Sequence, residues 1–215
     1  MDIKSKSKVF LTLYCIAFFT AWTVFELYLK DSVKEINPYL ALGTKFLVWT
    51  LPVILIVKYK FKENVLSYLQ MKRNVKAGLK AGLIFGILVT FYHIARILLF
   101  QKGLNPSFDL YAMISTVILI GFTEEIVFRG FILMELWKMT KFWAANLISS
   151  VLFLLIHFPK WYKEGSLLHT EAIGSFVFVI CFGLLQGYVL KRTKSIWPCM
   201  IIHSVNNFMT MFFMV

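Results

Sequence analysis

Apolar residues occur along the chain in long blocks, at about 9–29, 38–57, 77–100, 108–134, 142–159, 171–190 and 196–214. Each approaches the ~20 residues that an α-helix needs to cross ~30 Å of hydrocarbon. Helix-breaking residues collect between the blocks: Asn37-Pro38, Asn105-Pro106-Ser107 and Pro159, with Pro198 in the first turn of the last block. The pattern predicts an all-α polytopic membrane helical bundle of about seven transmembrane helices, since a helix satisfies its own backbone groups in lipid. Residues 1–215 read as a single integral membrane domain. Pro52 falls inside the second block and predicts a kink there. The one long connection, 58–76, is basic and places Phe61, Val65, Leu66 and Leu69 at near-helical spacing, which predicts an amphipathic helix on the cytoplasmic interface rather than a solvated loop.

Composition agrees with the blocks. The chain is 59% hydrophobic and only 16% charged, whereas soluble domains carry about 25% charged residues. The first block follows a short basic tail, 1–8, as in a signal peptide. It runs on to about Leu29 without a small-residue cleavage site, and so reads as a retained helix. The net charge of +12 is spread between apolar blocks rather than gathered into a basic domain, which points to orientation and lipid-bilayer contact, with no nucleic acid partner. With the N-terminus inside, the inner segments hold fifteen cations: Lys4, Lys6, Lys8, Lys58, Lys60, Lys62, Lys72, Arg73, Lys76, Lys80, Lys138, Lys141, Lys191, Arg192 and Lys194. The outer segments hold six, Lys30, Lys34, Lys45, Lys102, Lys160 and Lys163, which predicts an N-in, C-out arrangement. Cys15, Cys181 and Cys199 all lie in apolar stretches and read as packing residues.

Against this background three ionisable residues stand out: Glu124, Glu125 and Arg129 within GFTEEIVFRGFIL. Each costs at least ~2.5–3.5 kcal/mol near a bilayer centre, so they persist only by facing an interior and satisfying one another. Glu125 and Arg129 share a helix face and form a structural ion pair, while Glu124, turned ~100° away, is left to act on something else. Two further polar pairs occupy comparable blocks, Phe153 with His157 and His203 with Asn207, each four residues apart. A free glutamate, two imidazoles and an amide make up the inventory for activating water. His93 and Arg96 could line an entrance, although snorkelling of Arg96 to the interface accounts for that pair more simply. His169 reads as a loop residue, and Gly183 with Gly187 as a close helix contact.

The Glu-Glu-x-x-x-Arg, Phe-x-x-x-His and His-x-x-x-Asn motifs, in this order on successive hydrophobic helices, resemble the CaaX protease and bacteriocin-processing (CPBP/Abi) family of intramembrane endopeptidases. The resemblance covers residues 124–207, in the motif-bearing half 108–215. It implies that Glu124 and His157 are catalytic, that His203 and Asn207 complete the site, and that Glu125, Arg129 and Phe153 support it. It further implies hydrolysis of a peptide bond in a membrane-embedded or lipid-anchored substrate, either a CaaX-type protein or a bacteriocin or signalling-peptide precursor. The excess of Lys over Arg and the small size favour a bacterial plasma membrane.

The expected chemistry is a water activated by Glu124 and His157, with His203 and Asn207 donating to the oxygen on which charge develops. No cofactor is favoured. Zinc or another divalent metal remains an alternative, because Glu124, His157 and His203 are acceptable ligands. Two non-proteolytic readings also stay open: a membrane immunity or regulatory protein that binds a peptide, and a proton-coupled transporter using the same groups as a relay. One geometric difficulty is visible in advance, since residue counting puts Glu124 and His203 nearer the cytoplasmic side and His157 nearer the outer one.

Overall fold

A computed structural model describes residues 3–101, 103–105, 109–170 and 172–213, and the regular structure among them is helical. Helix α1 (3–36) includes a widened π turn at Phe25–Leu29. Helix α2, Pro38–Lys60, starts at Asn37, whose side chain accepts from the Tyr39 amide at 2.8 Å. A single turn, α3 at Val65–Tyr68, precedes α4 at Val75–Phe100. Helix α5 (110–139) contains two π segments, Met113–Ile120 and Ile126–Ile132, on either side of Gly121–Glu125. Helices α6 (Phe142–Lys163), α7 (Ala172–Thr193) and α8 (Trp197–Phe212) complete the bundle.

The seven apolar blocks thus fall on seven long helices. Among the described residues, five stretches are long and apolar enough to cross a membrane: Ser7–Ile36, Pro38–Lys60, Val75–Phe100, Phe142–Lys163 and Ala172–Thr193. The protein is an integral membrane protein, and its lipid-facing surface is visible on α4, where Leu83, Ile87, Phe91 and Leu98 are more than half exposed. The other two long helices, α5 and α8, carry two of the three polar motifs, and the third, Phe153 with His157, lies on α6.

Small residues set the distances inside the bundle. A Cβ on Gly78 would lie 2.5 Å from Ser195 Oγ, and one on Gly82 2.8 Å from Ile201 Cδ1, so α4 approaches the start of α8 too closely for larger side chains. A Cβ on Gly121 would meet Ser204 Oγ at 2.6 Å, which fixes α5 against α8. Helices α1 and α2 reach α5 through aromatic edges instead: Trp22 to Trp49 at 4.8 Å, Phe18 to Trp49 at 5.0 Å and Phe18 to Phe128 at 6.1 Å.

Two expectations change. The connection expected as an amphipathic helix over 58–76 keeps only the turn Val65–Tyr68, because the backbone enters the left-handed region at Lys62, Gln70 and Asn74. It closes one end of the bundle: Tyr68 and Leu69 are buried, and the Trp197 indole N–H donates to Met71 O at 2.8 Å. The fifth block is also not a single run ending at 159. Helix α6 is regular over Phe142–Leu155, turns at Ile156 and His157, and resumes at Phe158–Lys163 with Pro159 in its first turn. The carbonyl of Ile156, released by that break, accepts the Trp22 indole N–H at 2.9 Å. The Asn105-Pro106-Ser107 entry to the fourth block lies partly outside the described residues, as does Lys102.

Candidate active site

Glu124 and Glu125 sit on the regular turns of α5 between its two π segments, a position where the altered helix ladder re-aims neighbouring side chains. Both are buried, as are Arg129 and His203. Glu125 Oε1 accepts from Arg129 Nη1 at 3.2 Å and stands 2.7 Å from His203 Nδ1. Glu124 faces the other way, as its place one residue earlier dictates. Its Oε2 lies 3.7 Å from His203 Nε2, and its Oε1 pairs with Lys45 Nζ at 2.9 Å. The result is a line of alternating charges and imidazole, Lys45–Glu124–His203–Glu125–Arg129, drawn from α2, α5 and α8.

His157 comes close to Glu124 despite the depth difference that residue counting suggests. His157 stands at the turn, its Nδ1 3.0 Å from Phe153 O, and lies within electrostatic reach of Glu124 together with His203. With Nδ1–H donating to that carbonyl, Nε2 is left as an acceptor. Phe153 is shared by the whole group: its ring lies 5.2 Å from the His157 ring, 5.8 Å from the His203 ring and 4.3 Å from the Arg129 guanidinium carbon. Asn207, one turn beyond His203, donates its amide to Thr116 O at 2.9 Å in the first π segment, and so is anchored on α5 rather than on either glutamate.

Residues 105–209 match the family model described as type II CAAX prenyl endopeptidase Rce1-like, a segment just under half of the chain that contains all three motifs. Over that segment the chain is similar to this family. No curated protein and no solved structure matches the chain. The Rce1-like match supports an intramembrane protease acting in a bilayer on membrane-associated substrates.

Lys45 was not singled out in the sequence. The charge pattern places it with the outer charges, and in the structure its side chain is 12% exposed and pairs with Glu124 inside the bundle. The signal was available, because a lysine well inside an apolar block that starts at Pro38 meets the same energetic objection as Glu124. Lys45, with Trp22 and Trp49 beside it, lies outside the segment that matches the Rce1-like family.

His93 is buried and its Nε2 lies 3.0 Å from Asn206 Oδ1 on α8, while Arg96 lies 5.8 Å from the Tyr92 ring centre. Gly183 leaves room for Ser150 and Arg129, and Gly187 for Asn146. His169 lies in the α6–α7 loop, and the three cysteines are free thiols. Among the described residues no three His, Cys, Asp or Glu side chains are arranged to ligate one ion.

Proposed function

We propose that the chain is a glutamate-type intramembrane endopeptidase in which Glu124 is the general base. The observation that carries this reading is the division between adjacent carboxylates. Glu125 is committed to Arg129 and His203 Nδ1, whereas Glu124 keeps one oxygen on the side of the histidines. Glu124 takes a proton from a water whose second hydrogen is accepted by His157 Nε2, and the hydroxide attacks the scissile carbonyl. The oxyanion is met by the second N–H of the Asn207 amide and by Nε2–H of His203, which, with its Nδ1–H held by Glu125 Oε1, acts here as the imidazolium. A single donor of this kind accounts for about 3–4 kcal/mol of barrier in other hydrolases. The C–N bond then breaks, and the proton held by Glu124 passes to the leaving amine.

The substrate is proposed to be a peptide embedded in or anchored to the membrane by lipid, either CAAX-type, in keeping with the family description, or a bacteriocin or signalling precursor. The membrane is proposed to be a bacterial plasma membrane. Mass spectrometry of new peptide termini in membranes from cells expressing the wild type or Glu124→Gln tests the reaction. Termini specific to the wild type, persisting after chelator treatment, are expected. Identical termini from both chains would remove the proteolytic reading, and loss on chelation with return on added zinc would transfer the reaction to a metal.

A further inference from the structure

We infer that Lys45 is a positioning residue for the proposed hydrolysis: its ammonium fixes Oε1 of Glu124 and thereby leaves Oε2 as the oxygen that acts on water. The inference rests on the reading of Glu124 as the base.

Three observations converge on it. The ammonium is 2.9 Å from Glu124 Oε1, and 79 residues of chain separate the two groups, so the contact is made by the fold. Its freedom is limited by two indoles, with Nζ 4.5 Å from the Trp49 ring centre and 5.3 Å from that of Trp22. Those rings are themselves buried and meet edge to face at 4.8 Å. A lysine held between aromatic faces keeps favourable cation–π contacts only in that position, so it acts as a fixed point charge.

The third observation is the charge count. Lys45 and Arg129 balance Glu124 and Glu125, so the group carries no net charge until a histidine takes up a proton. Arg129 is spent on Glu125, and Lys45 is the cation that faces Glu124. A carboxylate gripped at one oxygen also no longer swings about its terminal torsion, and its other oxygen stays directed toward His203 and His157. Because Lys45, Trp22 and Trp49 all precede residue 105, the N-terminal helices contribute part of the site that the family-matched segment does not.

The test follows the rate at which wild-type-specific termini appear in membranes of expressing cells, normalised to folded protein and compared across variants. Lys45→Met retains the aliphatic stem between the tryptophans and is expected to slow the rate about 100-fold, the scale found when one preorganised polar group is removed. Lys45→Arg keeps a cation on the same indoles and is expected to remain within about tenfold of wild type. Lys45→Gln retains a donor without the charge and covers the case in which Lys45→Met does not fold; it is expected to fall between the two. A Lys45→Met or Lys45→Gln chain at the wild-type rate, with Glu124→Gln inactive, overturns the inference and spares the base. Arg as slow as Met, with both chains folded, overturns it too. If Glu124→Gln matches the wild type, the underlying proteolytic reading is what has failed.

Discussion

Helix α5 carries acidic residues at two levels built from similar chemistry and set in different surroundings. At Glu124 and Glu125 the partners Lys45 and His203 arrive from α2 and α8, and every side chain in the chain of contacts is at most 12% exposed. At Glu135, eleven residues on, Lys138 lies on the same helix at 2.6 Å with half its side chain exposed, and the Tyr68 hydroxyl donates from the connection. The outer pair is a local contact with solvent access, of the kind that contributes about 0–1 kcal/mol. The inner group is neither local nor wet. Burying ion pairs is seldom the stable choice, since apolar side chains of similar volume usually do as well or better. Its presence is therefore better explained by chemistry than by stability.

The largest expected effect comes from Glu125→Gln. It leaves Arg129, 1% exposed, without its carboxylate, and is expected to cost about 3–5 kcal/mol, read as a lowered melting temperature in detergent. A neutral result would mean that the inner group is as loosely held as the outer one. Gly183→Ala is expected to follow, at about 1–3 kcal/mol with reduced proteolysis, because its Cβ would come 2.7 Å from Ser150 Oγ and 3.2 Å from Arg129 Nη2. Equal melting curves for this variant and wild type would show that α7 yields at that point.

The outer level should respond least. Tyr68→Phe is expected to cost about 1 kcal/mol and to leave proteolysis unchanged. Burial and the hydrogen bond to Glu135 hold the Tyr68 hydroxyl protonated well above the usual phenol range. Its contribution should be fully present below pH ~10, where the unfolded phenol is also neutral, and decline above that as the unfolded phenol ionises while the folded one is still held neutral; melting of wild type and variant across that range checks the sign. A pH-independent difference would place the effect in packing alone.

The helices were legible because lipid demands long apolar blocks, and the motif residues because each interrupts such a block with a group that hydrocarbon penalises. Lys45 breaks the same rule, but a lysine can be assigned to snorkelling and nothing local ties position 45 to position 124. The turn at Ile156 and His157 was hidden for a different reason. Pro159 announced a break, but its use as the first turn of a continuing helix depends on Trp22 accepting the role of partner to the freed Ile156 carbonyl. The π segments of α5 and the folding of 61–74 against Gly130 and Trp197 likewise arise from tertiary contacts that no window of sequence contains.

The central claim is that Glu124 performs chemistry while its neighbour Glu125 holds the fold. The most direct measurement compares proteolytic rate per folded molecule and melting temperature for Glu124→Gln beside wild type. The account predicts loss of wild-type-specific termini from a protein that still folds, with a melting shift smaller than that of Glu125→Gln, because Lys45 is less deeply buried than Arg129 and keeps its two indoles. Undiminished proteolysis in a folded Glu124→Gln protein would contradict it.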